Sequence, residues 1–194
     1  LFIEANGSAR TPLALCIFTP EEIPDKNDAN VLWFQPGIHE LDFIELEDNQ
    51  VLYLEEGAIL RATNPKDGDP YLEDCDWAGK RNFLDFIFAN GKRNIKVYGN
   101  GIIDTTGLDW HARRTMVFSD CYNISISGVI LVGASHWTLP CFGCENVTIQ
   151  NVTILGYREN SDGINLVDSK NVTVNGCFIR TGDDAICVKS MGRN

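Results

Sequence analysis

The sequence predicts an all-β fold, a solenoid of short parallel strands, from three observations. A strand-like motif recurs four times, its copies stand roughly one solenoid coil apart, and no segment between them has the periodicity of a helix. A sheet built from βαβ units would need a helical crossover between its strands. The sequence therefore favours stacked coils, each built from short strands joined by turns.

The repeated motif supplies the strands. Its copies begin at Asn94, Asn123, Asn146 and Asn171, at intervals of 29, 23 and 25 residues, and each reads Asn, β-branched, polar, β-branched, polar, then Gly or Asn. Alternation with period two is typical of half-buried strands. Asn tolerates the left-handed backbone of a tight turn, and stacked Asn side chains can hydrogen-bond to one another. We therefore expect these Asn residues to stack at one corner of the solenoid.

The chain is predicted to form one domain over residues 1–194, which is long enough for a single core. Residues 91–190 carry the regular motif. Residues 1–90 fit earlier and less regular coils, with strand–Gly–strand units that begin at Val31 and Val51. The last coil of a solenoid exposes an unpaired sheet edge. We therefore expect this domain to be the N-terminal part of a longer solenoid.

The stretch from about residue 63 to residue 80 is polar and rich in turn-forming residues, and it is predicted to be a loop inserted between coils. An acidic loop can bind Ca²⁺, but this one lacks the spacing and the closing Glu of an EF-hand. A solvated loop is the preferred interpretation.

Composition limits the partners. A formal net charge of −11 does not provide the basic surface that nucleic acids or anionic membranes require. No run of 18 apolar residues is present, so no membrane-spanning helix is predicted. The chain begins at Leu1 without a basic leader or an initiator Met, and we expect a mature or excised segment.

Seven cysteines leave at least one of them unpaired. Cys141 and Cys144 form a C-x-x-C pair, which occurs in zinc sites and in thioredoxin-like redox sites. No second ligand pair stands at zinc spacing, and a strand rather than a helix follows the pair. We interpret these cysteines as core or turn residues, and Cys177 and Cys187 as buried thiols. No metal site and no cofactor are predicted.

Two acidic motifs stand immediately before apolar strands. They are Asn160-Ser-Asp162-Gly and Gly182-Asp183-Asp184, and Asp162 and Asp183 are 21 residues apart, about one coil. Because equivalent positions on adjacent parallel strands are about 4.8 Å apart, we expect the carboxylates to form one patch. Crowded like charges disfavour joint ionisation, which sets a proton donor beside a proton acceptor, as glycosidic cleavage requires. Taken singly, each Asp is more simply a turn residue.

These motifs and their spacing resemble those of the polygalacturonase-type pectin hydrolases, glycoside hydrolase family 28, which are right-handed single-stranded parallel β-helices. The resemblance runs through most of residues 31–190. It also rests on the segments Leu52-Tyr-Leu-Glu-Glu-Gly-Ala-Ile-Leu60, Asn94-Ile-Lys-Val-Tyr-Gly-Asn-Gly-Ile-Ile-Asp104 and Ser135-His-Trp-Thr-Leu139.

The resemblance implies inverting hydrolysis of an acidic polysaccharide such as polygalacturonan. Asp183 would protonate the leaving oxygen, and Asp162 and Asp184 would activate the attacking water. Asn160 would orient the substrate or a neighbouring carboxylate. A polysaccharide partner also implies a secreted or periplasmic protein.

This chain departs from the family in one respect. The family has a Gly-His-Gly segment one coil after the Asp pair and an Arg-x-Lys further on, and neither is found in this sequence. The three histidines of this chain, His39, His111 and His136, all precede the Asp pair. We therefore expect further polypeptide to complete the β-helix and its site.

Basic and aromatic residues near the acidic motifs are candidates for holding substrate. Lys189 is either a ligand of a sugar carboxylate or a surface lysine, and Arg158 is either such a ligand or a solvated turn residue. His136 and Trp137 either line the cleft or pack within the β-helix. The cluster Trp110-His-Ala-Arg-Arg114 is a further candidate for holding an acidic sugar. It supplies local positive charge in a chain whose net charge is negative.

Three alternatives stay open. A β-helix hydrolase of the dextranase type would cleave a neutral glucan, and a non-catalytic β-helix would bind glycans without cleaving them. A β-helix lyase would use Ca²⁺ and a basic residue, and would leave unsaturated products.

Overall fold

Residues 22–76 and 79–192 are described by the computed structural model, and they form nineteen strands and no helix. In chain order the strands are β1 (Val31–Phe34), β2 (Gly37–Leu41), β3 (Ile44–Glu45), β4 (Val51–Leu54), β5 (Ala58–Ala62), β6 (Tyr71–Asp76), β7 (Gly79–Asn90), β8 (Arg93–Gly99), β9 (Ile102–Asp104), β10 (Arg114–Ser119), β11 (Tyr122–Ser127), β12 (Ile130–Val132), β13 (Leu139–Phe142), β14 (Glu145–Gln150), β15 (Thr153–Leu155), β16 (Ile164–Val167), β17 (Lys170–Asn175), β18 (Phe178–Arg180) and β19 (Ile186–Lys189). Within these residues, no helix has the length and hydropathy to cross a membrane.

Apart from β6, the strands form three parallel sheets, and every coil contributes one strand to each sheet. Sheet A has the order β1-β4-β8-β11-β14-β17, sheet B the order β2-β5-β9-β12-β15-β18, and sheet C the order β3-β7-β10-β13-β16-β19. The described residues therefore make six coils. The parallel β-helix predicted from the sequence is confirmed, and its first two coils lie in the less regular first part of the chain.

The corner between sheet C and sheet A is the predicted Asn stack. Asn94, Asn123, Asn146 and Asn171 have left-handed backbone, with φ of 57°, 60°, 59° and 53°. The Asn123 side chain donates to Asn94 Oδ1 at 2.7 Å, and that of Asn171 donates to Asn146 Oδ1 at 3.1 Å. Asn49, with φ of 64°, is a further member that the sequence did not reveal, because Gln50 replaces the β-branched residue of the motif.

The core lies inside the three sheets and is filled by stacked apolar side chains. Ile95, Ile124 and Val147 are register partners on successive coils of sheet A, and each is at most 1% exposed. Burying an aliphatic side chain of this size stabilises the fold by roughly 1.5–3 kcal/mol. Repetition of one short strand motif is therefore enough to build a continuous core.

The cysteines of the described residues are free thiols. Cys141 and Cys144 are fully buried, and the Cys144 thiol donates to the Phe118 carbonyl oxygen at 3.3 Å. Their interpretation as core residues is confirmed, and Cys187 is buried as expected, whereas Cys177 is only half-buried.

The insertion predicted as a loop over residues 63–80 is instead partly a β-hairpin. Strand β6 pairs antiparallel with the first part of β7, from Tyr71–Leu84 to Asp76–Gly79. The sequence did not predict these strands, because many of their side chains are charged and the segment therefore resembles a polar loop. Asp74 of β6 is only 2% exposed and faces a buried arginine, which ties the hairpin to the β-helix.

Candidate active site

The candidate site lies along the corner where the chain passes from sheet B to sheet C. A cleft of about 420 Å³ opens there. Its walls come from the β6–β7 hairpin, from β19, and from four successive connections, residues 105–113, 133–138, 156–163 and 181–185. Stacking of the coils therefore brings together side chains that are far apart in sequence.

The two acidic motifs lie on the last two described coils. The Gly163 N–H donates to the Asp184 carbonyl oxygen at 2.8 Å, and the Thr138 N–H donates to the Asp162 carbonyl oxygen at 2.8 Å. Asp184 therefore stacks beside Asp162, and Asp183 lies one residue earlier in the chain. The structure brings all three carboxylates to the one cleft.

Both motifs contain a glycine because the adjacent coil passes too close for a side chain. A Cβ atom on Gly163 would lie 2.4 Å from the Ala185 carbonyl oxygen, and one on Gly182 would lie 2.1 Å from the Arg158 carbonyl oxygen. Between them, the Ser161 hydroxyl donates to the Arg158 carbonyl at 2.6 Å and accepts the Gly182 N–H at 3.2 Å. Local packing thus fixes the position of each aspartate.

Asp162 is the buried carboxylate of the site, with 3% of its surface exposed. The Lys189 ammonium donates to its Oδ2 at 3.1 Å and lies 4.3 Å from the centre of the Trp137 ring. An uncompensated buried charge is costly, so this cation stabilises the ionised Asp162. The sequence left Lys189 between a sugar ligand and a surface lysine, and the structure makes it the partner of Asp162.

Cys187 joins the two stacked carboxylates. Its thiol donates to Asp184 Oδ2 at 3.0 Å and lies 3.8 Å from Asp162 Oδ2. Burial, followed by this hydrogen bond, raises the pKa of the Cys187 thiol to about 12, so it stays protonated and acts as a donor. One oxygen of each carboxylate and the sulfur lie within 4.8 Å of one another, a spacing that suits a metal ion. Lys189 already supplies a positive charge at the Asp162 oxygen.

Two histidines line the cleft beside the acidic residues. The His136 Nδ1 accepts the Trp137 backbone N–H at 2.7 Å, and its ring centre lies 4.5 Å from that of His111. Burial, helped by the neighbouring His111 and by cationic side chains, lowers the pKa of His136 to about 3. Burial likewise lowers the pKa of His111. Both rings are therefore neutral near pH 7.

Asn160 also borders the cleft, and its amide nitrogen lies 3.2 Å from His111 Nε2. Because the pKa of His111 is lowered, its Nε2 is available as the acceptor of this hydrogen bond. Asn160 thus links the connection that carries Asp162 to the connection formed by residues 105–113.

Arg158, a predicted substrate ligand, is not brought to the cleft. Its guanidinium donates to the carbonyl oxygens of Leu108 and Thr106, at 2.7 Å and 2.6 Å. These contacts fasten the 105–113 connection to the neighbouring coil, so Arg158 positions the segment that carries His111. The cause is local, since those carbonyls have no strand partner and accept a charged donor instead.

Replacing Arg158 with Met is expected to speed amide hydrogen exchange at residues 105–111 by about tenfold, because two charge-assisted hydrogen bonds that hold the segment are lost. Hydrogen-exchange mass spectrometry of the folded protein measures this. Lys170→Met, which removes an exposed surface pair with Glu145, is the matched control and should leave the segment unchanged. Equal exchange in the two variants would refute the positioning role.

In the predicted cluster Trp110-His-Ala-Arg-Arg114, Trp110 and His111 line the cleft, whereas the side chains of Arg113 and Arg114 are buried and do not line it. Arg113 forms an ion pair with Asp69, and Arg114 forms a bidentate pair with Asp85 at 2.6 Å and 2.9 Å. The partners lie 44 and 29 residues away in sequence, so the local pattern did not reveal them.

Sequence reasoning missed two residues of the hairpin that border the cleft, Asp76 and Arg81. They form an ion pair, with Arg81 Nε 3.2 Å from Asp76 Oδ2. The insertion reads as a solvated loop in sequence, and only its antiparallel pairing carries these side chains to the site.

A family model described as Glycosyl hydrolases family 28 matches residues 67–194. The chain is 27% identical over 135 residues to Polygalacturonase QRT2 of Arabidopsis thaliana, which covers 61% of this chain and 30% of that protein. It is 27% identical over 165 residues to a probable polygalacturonase of Vitis vinifera, which covers 75% of this chain and 34% of that protein. The chain spans about a third of the length of these curated relatives.

Solved structures share the fold. An exopolygalacturonase from Thermotoga maritima superposes with a TM-score of 0.76 at 18% identity, over 83% of this chain and 47% of that chain. A family 28 exopolygalacturonase from Yersinia enterocolitica gives a TM-score of 0.72 at 19% identity, over 81% of this chain and 38% of that chain. At these identities the likeness supports the β-helix architecture.

Proposed function

Because the chain belongs to glycosyl hydrolases family 28, we propose that it cleaves the glycosidic bonds of an acidic polysaccharide, a galacturonan. The observation that carries this proposal is the meeting of Asp162, Asp183 and Asp184 at one cleft, the first buried and the other two exposed. Hydrolysis of a glycosidic bond requires one carboxyl group as a proton donor and another as a base, and the three aspartates provide both within one cleft.

In the proposed mechanism Asp183 is the general acid. It is exposed, and its Oδ1 accepts the Asp184 N–H at 3.0 Å, which orients the carboxyl group. Asp183 gives its proton to the leaving glycosidic oxygen as the bond to the anomeric carbon breaks. The leaving sugar departs with a free hydroxyl group, and Asp183 is left as a carboxylate.

Asp162 and Asp184 form the basic side of the site. They accept a proton from a water molecule as it attacks the anomeric carbon from the face opposite the leaving oxygen, which inverts the configuration. Lys189 stabilises the ionised Asp162, and the Cys187 thiol orients Asp184. Asn160 lies beside them and is positioned to hold a sugar hydroxyl group.

The choice of galacturonan is supported by the curated relatives, which are named polygalacturonases. These relatives do not favour the alternative of a hydrolase for neutral glucans. Such a polymer cannot cross a membrane, so we place the protein outside the cytoplasm, secreted or periplasmic.

The test is an assay of the full polypeptide on polygalacturonate and on dextran. New reducing ends are expected from polygalacturonate alone, without the ultraviolet absorbance of unsaturated products, and NMR should show the product first as the inverted anomer. Reducing ends from dextran, unsaturated products, or binding of polygalacturonate without cleavage would each contradict the proposal.

A further inference from the structure

An acidic sugar needs a cation within the cleft, since the net charge of the chain is −11. Four basic side chains near the acidic motifs are committed to groups inside the protein. They are Lys189, which bonds Asp162, Arg158, which bonds backbone carbonyls, and Arg113 and Arg114, which form buried ion pairs. Among the described residues, a cation for a sugar carboxylate is therefore to be sought elsewhere on the cleft wall.

Arg81 supplies a cation on that wall. It lies near the tip of the β6–β7 hairpin, its side chain is 48% exposed, and it borders the cleft. Its ion pair through Nε with Asp76 sets the direction of the guanidinium. Arg81 lines the cleft together with His111 and His136, and its positive charge contributes to the lowered pKa of both histidines. A guanidinium matches the planar geometry of a carboxylate.

Trp110 and His111 form an aromatic platform on the same cleft. Their rings stack with centres 3.6 Å apart and an interplanar angle of 23°, and Trp110 is 60% exposed. His111 has a left-handed φ of 61°, a backbone conformation in which His is enriched. Its N–H is held by the Ser135 carbonyl at 2.8 Å. A fixed, exposed aromatic face suits the apolar C–H face of a sugar ring.

We propose that Arg81, Trp110 and His111 form a uronate subsite, in which Arg81 binds the sugar carboxylate and the stacked pair binds the face of the ring. The inference rests on the proposed function, because it takes a galacturonan as the substrate. The three residues border the cleft that contains Asp162, Asp183 and Asp184, so a sugar held there lies next to the carboxylates. The hairpin thus acts as the part that selects for acidic sugars.

The experiment measures binding of a galacturonate oligosaccharide and of its methyl ester by calorimetry on the full polypeptide. Arg81→Gln is expected to weaken binding of the acidic oligosaccharide by about 10- to 100-fold and to leave the ester unchanged. Trp110→Ala is expected to weaken both ligands by about tenfold, because both present the same ring face. Lys80→Gln, which alters the exposed neighbour of Arg81 outside the cleft, should change neither.

Arg81→Lys guards against a folding defect, since it keeps the charge and should retain part of the preference for the acid. Equal weakening of acid and ester by Arg81→Gln, or no weakening, would overturn the carboxylate contact while leaving the hydrolase proposal intact. Failure of the unaltered protein to bind either oligosaccharide would overturn both.

Discussion

Replacing Asp183 with Asn is expected to lower the rate of polygalacturonate hydrolysis on the order of 10²- to 10⁴-fold, because an amide cannot protonate the leaving oxygen. Asp183 is exposed and the substitution preserves its shape, so the folded state should be retained. Initial rates of reducing-end formation in the full polypeptide measure the effect, with a thermal melt to show that the variant is folded.

The nature of the leaving group separates the acid from the base. An aryl galacturonide with an activated phenol needs no proton, so Asp183→Asn should lose far less activity on it than on the polymer. Asp184→Asn should lose similar activity on both, since its role concerns water. Asp120→Asn, at an exposed turn with φ of 53°, is the matched control and should retain the normal rate. Near-normal hydrolysis of the polymer by Asp183→Asn would exclude it as the acid.

Replacing Arg114 with Met is expected to lower the free energy of unfolding by about 3–5 kcal/mol, because it leaves buried carboxylates without a counter-charge. The Arg114 and Asp85 side chains are each 1% exposed, and Asp74, whose side chain has no exposed surface, lies 3.5 Å from the guanidinium. The guanidinium also packs over Phe83, 4.3 Å from the ring centre. Urea unfolding at pH 7 gives the measurement.

The control is Arg61→Met, which removes an ion pair with Asp104 in which the arginine is 40% exposed. Solvent screens such a pair, so the expected loss is only about 0.2–1 kcal/mol. The double variant Arg114→Met with Asp85→Asn should be more stable than the sum of the single losses predicts, because one of the unpaired charges is gone. If Arg114→Met lowers the free energy of unfolding no more than Arg61→Met does, a buried ion pair at Arg114 is ruled out.

The sequence predicted the parts of the fold that depend on local pattern. The alternating β-branched residues determine where the strands lie and which face is buried, and the Asn of each repeat determines the corner. The stacking of the coils, and with it the proximity of Asp162 to the Asp pair, could therefore be predicted. The sequence did not specify which residue of the Asp pair stacks beside Asp162, and in the structure it is Asp184. A repeat with unequal coil lengths specifies neighbouring coils but leaves an uncertainty of one residue in register.

The local sequence pattern could not predict the β6–β7 hairpin or the ion pairs of the arginines. In sequence, Arg113 and Arg114 resemble an exposed basic cluster. In the structure, they pair with acidic residues 44 and 29 positions away. Arg81 resembles a loop residue until β6 pairs with β7. Side chains whose partners are fixed only by tertiary stacking carry no signal in a short window of sequence.

The contrast between two corners of the β-helix has a consequence for how such a protein can change. The Asn corner is nearly invariant in geometry, while the corner between sheets B and C accepts connections that range from the two residues 42–43 to the long segment that contains β6. Insertions at the second corner leave the register of the first undisturbed. New substrate preferences can therefore arise by exchanging single connections, which makes this corner the natural target for segment-swapping libraries.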